Sequence, residues 1–291
     1  MSKESKSLKL LRVIEGSYRP RREEVFELAE LAKMNKLYFA YLRAVGDLLR
    51  DELLHVEARY AWIVENTVEV VEALRELDYA LYKFRKPVDH VSVDLDMLVD
   101  RRDVSRAVRV LREHGFKVVV WEPYTVTLER DGFIVDLYTE PAFAWIVYMD
   151  GGRLLRKYAE DIVIGGFPAR GLCGEAEAVV AAAHAVYKEH LVLLMDCLVA
   201  WEWVNRKAWS IAVEFGVEKA LEELLRVCNL VRPGVVEAPY RLEPHTLLKI
   251  YLNKTLHDPV FRATMPNILK YMLRMRDSGK RILSRITRKS Y

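Results

Sequence analysis

The sequence predicts a mixed α+β or α/β fold: a small mixed β-sheet core set between an N-terminal helical region and a C-terminal helical domain. Three observations predict it. The apolar period is helical up to about Leu77, becomes alternating or β-branched between Tyr79 and Tyr138, and turns helical again after Pro141. Asp131-Gly132 separates two apolar runs, a strong two-residue hairpin signal. The order strand, strand, helix, strand, hairpin makes an α/β unit of about 60 residues. The expected divisions are 1–78 (helical), 79–150 (sheet core), 151–264 (helical) and 265–291 (a basic C-terminal segment).

From Arg22 to Leu77, apolar residues recur at spacings of three and four (Val25, Leu28, Leu31; later Val68, Val71, Leu74) with no proline between them, and Pro20 stands just ahead of the first helix. Tyr79–Phe84 is a short apolar-aromatic run ending in the turn-like Lys86-Pro87. Val91–Val99 alternates, with Val93, Leu95 and Met97 on one face and Ser92, Asp94 and Asp96 on the other. Asp103 suits the cap of a helix running to His114, and Gly115 suits its left-handed terminator. Lys117–Trp121 reads as a strand, followed by the hairpin arms Tyr124–Arg130 and Phe133–Tyr138. Gly151-Gly152 and Gly165-Gly166 with Pro168 punctuate a transition, after which Glu175–Arg206 reads as one long helix. Further helices are expected at Ser210–Val227 and Pro244–Asn253, broken by Arg232-Pro233-Gly234.

With 52% hydrophobic and 30% charged residues, the composition is that of a folded globular chain and excludes general disorder. Three widely spaced cysteines (Cys173, Cys197, Cys228) show no CxxC pair, so neither a disulfide framework nor a zinc site is expected, and a reducing cytoplasmic setting is. The N-terminus lacks the apolar core of a signal peptide. The most apolar stretch, Ala176–Val204, carries His184, Lys188, Glu189, His190, Asp196 and Glu202, a pattern of a buried helix and not of a membrane span. Glutamine is absent, which suits a thermophilic source or a genomic composition bias. Net charge is +3, yet Met265–Tyr291 holds eight basic residues against Asp277 alone, +7, leaving −4 for the remainder. Lys270, Arg274, Lys280 and Arg281 are therefore candidate contacts to a polyanion such as RNA, or simply a solvated helix end.

Asp is depleted in strand interiors, so two in one apolar strand and a third in another call for a reason. Asp94 and Asp96 project from one face, about 7 Å apart at their Cα atoms. Asp136 shares a face with Ile134 and Tyr138, while Phe133, Val135 and Leu137 take the other. If the two strands are neighbours, three carboxylates converge and repel unless neutralised. Mg2+ or Mn2+, with oxygen ligands and room for phosphate oxygens, is the natural counter-ion. A wet sheet face and helix capping by Asp96 or Asp100 are the plainer explanations.

DLDMLV (Asp94–Val99), a following helix, Gly115-Phe116, a hairpin and IVDLY (Ile134–Tyr138) together resemble the polymerase-β-type nucleotidyltransferase superfamily. More narrowly they resemble its uncharacterised prokaryotic members with helical flanks. The resemblance covers Tyr79–Tyr138 well and Glu175–Trp203 loosely, where His184 matches a downstream helix histidine. It implies that Asp94 and Asp96 bind both metals, and that Asp136 helps bind the one activating the acceptor hydroxyl. The chain departs from the pattern in lacking a Gly-Ser just before the DxD strand. Gly16-Ser17 lies 77 residues before Asp94 and reads as a helix-entry turn, whereas Lys83, Arg85 and Lys86 occupy the expected place. Those three can pair with phosphate oxygens, or merely fill a turn.

His184 and Lys188 share a helix face, and Trp201, Trp203 and Trp209 suit helix packing. No GxGxxG, Walker, GxSxG or HExxH motif occurs, which excludes Rossmann, P-loop, α/β-hydrolase and zincin chemistry. The expected activity is metal-dependent transfer of a nucleoside monophosphate from an NTP to a hydroxyl acceptor, RNA among the candidates. The alternatives are a catalytically degenerate RNA- or protein-binding module of the same fold and an RNA binder driven by the basic tail.

Overall fold

The change of period at Tyr79 is where the chain leaves its helices for the sheet. A computed structural model describes residues 5–274. Four helices come first: α1 (Lys6–Ile14), α2 (Arg22–Met34), α3 (Tyr38–Val45) and α4 (Arg50–Ala73). Beyond the α1–α2 connection, the breaks fall at Asn35–Leu37 and at a single 3-10 turn, Gly46–Leu49, inside a stretch whose periodicity reads as continuous.

The sheet then builds from β1 (Tyr79–Leu81), β2 (Asp94–Val99), α5 (Val104–Glu113), β3 (Lys117–Trp121), β4 (Thr125–Arg130) and β5 (Phe133–Tyr138). Asp131 and Gly132 turn the β4–β5 hairpin with φ of 51° and 83°, the left-handed pair that a two-residue hairpin demands. Gly115, at φ 88°, ends α5 as expected, and Asp103 is its cap residue although its side chain makes no capping bond. A small ribbon, β6 (Ala142–Phe143) with β7 (Ile146–Val147), precedes α6 (Gly151–Tyr158) and a second hairpin, β8 (Ala159–Ile164) with β9 (Phe167–Leu172). The seven-stranded order is β3-β4-β5-β2-β1-β9-β8. The β2–β5 and β1–β9 pairs are parallel and the others antiparallel, so the sheet is mixed and includes β8 and β9, beyond residue 150.

One sheet face is mainly apolar, with Arg130 at its edge bonded to Glu69 and Asn66 of α4. Leu95, Met97, Val135, Leu137, Val126 and Leu128 pack there with residues of α4 and α5. The opposite face divides: Ala80, Tyr82, Leu98 and Tyr138 pack into the helical core, and Asp94, Asp96 and Asp136 occupy the rest. The alternation that buries Leu95 and Met97 on one side sends Asp94 and Asp96 to the other.

The remaining chain is helical, with two small strands: α7 (Gly174–His184), β10 (Leu191–Val192), α8 (Leu194–Trp203), α9 (Arg206–Glu214), α10 (Glu218–Val231), β11 (Tyr240–Arg241), α11 (Pro244–His257), α12 (Pro259–Thr264) and α13 (Asn267–Arg274). The single long helix expected over Glu175–Arg206 is corrected. A π-turn at Ala185–Glu189 and left-handed His190 (φ 56°) end α7, and the chain pairs briefly with β11 before α8 begins. Trp201, Trp203 and Trp209 pack against the helical core, as expected.

The expectation of no disulfide is also corrected: Cys197 on α8 is bonded to Cys228 on α10, while Cys173 is a buried free thiol. Spacing along the chain could not reveal this pair, because helix packing and not sequence proximity brings the cysteines together. Among the described residues no helix is long and apolar enough to cross a membrane. Of the basic candidates, Lys270 and Arg274 lie exposed on α13, and Lys280 and Arg281 fall outside the described residues.

Candidate active site

Parallel pairing of β2 with β5 sets Asp94 opposite Ile134 and Asp96 opposite Asp136. Each of Asp94, Asp96 and Asp136 thereby offers a carboxylate oxygen within 4.8 Å of the other two. All three are half-buried on the floor of a cavity of about 750 Å³. The convergence expected from the sequence is present.

Crowding and burial mark the electrostatics. Burial, then the neighbouring Asp96 charge, raises Asp94 above the usual carboxylate range. The same two causes push Asp136 up to about 6, against the hydroxyl of Thr127 on β4, which donates to its carboxylate. Asp96 has its two oxygens in different settings. Oδ2 is 2.9 Å from the Lys83 ammonium, and Oδ1 is buried with no hydrogen-bond partner among the described residues. A buried carboxylate oxygen left unpaired, beside two more carboxylates, suits a hard divalent cation with oxygen ligands.

The three basic residues expected to meet phosphate part company. Lys83 lines the cavity but holds Asp96. Burial lowers its pKa and the charges of Asp96 and Asp94 raise it, with a net upward shift. Lys86 also lines the cavity. Arg85 does not: its guanidinium binds Glu160 on β8 and the Leu172 carbonyl, beside the Trp203 ring. The chain after β1 is not a strand and Lys83 is left-handed, so Arg85 leaves the cavity for Glu160 and the Leu172 carbonyl, and proximity in sequence to Lys83 and Lys86 was misleading. Glu177 on α7 pins this turn, its Oε1 accepting the backbone amides of Phe84 at 3.0 Å and Arg85 at 3.4 Å.

Two cavity residues, Lys36 and His90, carried no sequence signal. Lys36 follows α2 in a left-handed conformation (φ 59°), and its carbonyl accepts a bond from His90 Nδ1 at 3.1 Å. A carbonyl only accepts, so Nδ1 of His90 carries the proton and Nε2 is its lone-pair nitrogen. Burial, then the Lys86 charge, lowers Lys36 to about 8; burial with Lys86 and Lys36 lowers His90 to about 3. His184 and Lys188 both line the cavity, with His184 Nε2 3.2 Å from Glu189 Oε1. The two residues read as sharing a helix face therefore do meet on the cavity, with Lys188 inside the π-turn at Ala185–Glu189 that precedes α8. Asn35, a residue tolerant of helix ends, was the one legible hint that the chain breaks next to Lys36.

Comparison with solved structures finds ANT(2'')-Ia twice. A crystal structure of it in complex with adenylyl-2''-tobramycin is 15% identical, with 57% of this chain and 96% of that chain covered at a TM-score of 0.35. A solution structure of the antibiotic-resistance factor ANT(2'')-Ia is also 15% identical, covering 58% and 92% at 0.35. No curated protein matches. Residues 91–233, which hold all three carboxylates, match the model of the family described as uncharacterised nucleotidyltransferase, and this part of the chain is nucleotidyltransferase-like.

Proposed function

We propose that the protein transfers a nucleoside monophosphate from an NTP to a hydroxyl acceptor in a divalent-metal-dependent reaction. The observation that carries this reading is the convergence of Asp94, Asp96 and Asp136 within 4.8 Å, with Asp96 Oδ1 buried and unpaired. In the transfer, the acceptor oxygen bonds to the α-phosphorus as the bond to pyrophosphate breaks, and the acceptor hydroxyl gives up its proton. Bound Mg2+ or Mn2+ would supply Lewis-acid polarisation of the phosphate oxygens, held by Asp94, Asp96 and Asp136.

The chain's own groups account for the rest. Asp136, oriented by the Thr127 hydroxyl, suits the carboxylate beside the acceptor, where a metal ion it helps hold would ease loss of the acceptor proton. Lys36, Lys86 and Lys188 on the same cavity supply positive charge for the triphosphate where a Gly-Ser loop is lacking. They take the phosphate role that the sequence shared among Lys83, Arg85 and Lys86. Most of the catalytic effect in such a site comes from positioning and charge neutralisation. RNA as acceptor rests on the basic C-terminal segment, of which Lys270 and Arg274 are exposed.

Incubation with radiolabelled NTPs, Mg2+ and candidate acceptors tests the reading. Labelled product should form with the wild type and disappear in the Asp94→Ala, Asp96→Ala double variant; equal labelling by both would overturn it. A degenerate binding module is the second reading, favoured by the Lys83 ammonium already seated on Asp96. Calorimetry separates the two, because a degenerate site gives no metal-dependent NTP affinity.

A further inference from the structure

Lys83 is built into the carboxylate cluster and not held in reserve above it. Its ammonium lies 2.9 Å from Asp96 Oδ2, with the two side chains only 16% and 10% exposed. The same nitrogen sits 5.0 Å from the Tyr82 ring and 5.1 Å from the Tyr138 ring, so aromatic faces flank it. Its backbone is left-handed (φ 57°), a conformation that a long side chain keeps only where its surroundings impose it. Those surroundings are specific. The next two amides are fixed by Glu177, and the preceding residue, Tyr82, donates its own amide to the Asp96 carbonyl at 3.0 Å. A lysine kept for phosphate would extend into open cavity; this one is committed to a carboxylate.

Charge counting gives that commitment a consequence. The three carboxylates, when ionised, carry −3, and Lys83, in contact with Asp96, brings that contact set to −2, which a single divalent cation neutralises; the charges of Lys36 and Lys188, which also act on Asp94, further disfavour a second ion. A second cation would have to displace Lys83 or crowd against it, since like charges at such spacing repel. Lys83 occupies one oxygen of Asp96, and the unpaired oxygen is the other. We infer that Lys83 stands permanently in place of one of the two cations such a cluster would otherwise recruit, so that the chain binds one divalent ion, through Asp94, Asp136 and Asp96 Oδ1. This inference rests on the metal-dependent reading above and specifies its stoichiometry.

The test is a count of bound ions. Mn2+ is titrated into the full chain and followed by calorimetry and by the electron paramagnetic resonance of free Mn2+. The expected result is one ion per chain in the wild type, two in Lys83→Met, and a loss of at least tenfold in affinity in Asp94→Asn. Two ions on the wild type would overturn the inference and leave the transfer reading standing. One ion on both wild type and Lys83→Met would also overturn it, because the lysine would then hold no cation position. No ion on either would overturn the inference and the metal-dependent reading together. Should Lys83→Met fail to fold, the wild-type count decides, with Lys83→Arg expected to keep it at one.

Discussion

Asp96 and Asp136 stand directly opposite one another on adjacent parallel strands, β2 and β5, on the face of the sheet turned from its apolar core. Nothing in strand geometry favours that pairing, since like charges facing across a ladder are destabilising. Here the pair is also half-buried, and Asp94 joins it one pleat away. Residues that raise the energy of the empty protein are characteristic of sites shaped for a ligand.

Replacing Asp136 by Asn should therefore stabilise the metal-free protein. Its carboxyl is pushed up to about 6, so the folded state holds the proton more tightly than the unfolded chain does, and ionising it at neutral pH opposes folding. Relief of that cost should be roughly 1–2 kcal/mol, a rise of a few degrees in melting temperature. Nucleotidyl transfer should fall by about 100-fold or more, as expected for loss of a group acting at the reacting atoms. Thermal melts without metal, alongside the labelling assay, check both; a variant less stable than the wild type would contradict the strain argument.

Lys36→Ala should chiefly raise the KM for the NTP. It lines the same cavity as Lys86, and burial with the Lys86 charge lowers its pKa to about 8, so a triphosphate bound there would meet two neighbouring cations. A weakening of about tenfold, near 1.4 kcal/mol, fits one charge-assisted phosphate contact. Steady-state kinetics separate the terms: an unchanged KM with a collapsed kcat would remove Lys36 from phosphate binding.

How much of this site was legible follows from which signals are local. The carboxylates were readable because alternation in Asp94–Val99 and Phe133–Tyr138 assigns a face to each residue without knowledge of the fold. The Asp131-Gly132 hairpin was readable because its chemistry dictates its turn. The shared helix face of His184 and Lys188 was readable from their spacing, and both line the cavity; Lys36 and His90 were not, because each reaches the cavity through a break (the α2 end, the β1–β2 connection) that no apolar period announces. Arg85 looked equivalent to Lys83 and Lys86, yet tertiary contacts with Glu160 and Leu172 turned it out of the cavity.

His90 predicts an acid sensitivity. Burial first, then Lys86 and Lys36, lowers its folded pKa from 6.5 to about 3, so the native state excludes a proton that the unfolded chain accepts. The sign follows: this stability is fully present above pH 6.5 and is lost as pH falls from there toward 3, by up to about 1.4 kcal/mol per pH unit. His90→Asn keeps a donor for the Lys36 carbonyl and cannot titrate. Denaturant unfolding between pH 4 and 7 should show a shallower decline for the variant, whereas superimposable slopes would dismiss the histidine as the cause.

The Cys197–Cys228 bond should be the main covalent support of the helical part that packs over the sheet. It joins α8 to α10 across 31 residues, with both cysteines fully buried. Closing a loop of that length removes conformational freedom from the unfolded chain corresponding to about 3.5 kcal/mol. Because both sulfurs are enclosed, a reductant reaches them only when the helices open. The native protein should thus resist dithiothreitol at 25 °C, and mass spectrometry after denaturation in iodoacetamide should find one alkylated cysteine, Cys173. Protein reduced while unfolded and then refolded should carry three modifiable thiols and melt lower by roughly 7 °C. Ready reduction of the native state, or equal melting of the two forms, would show that helix packing alone holds α8 against α10.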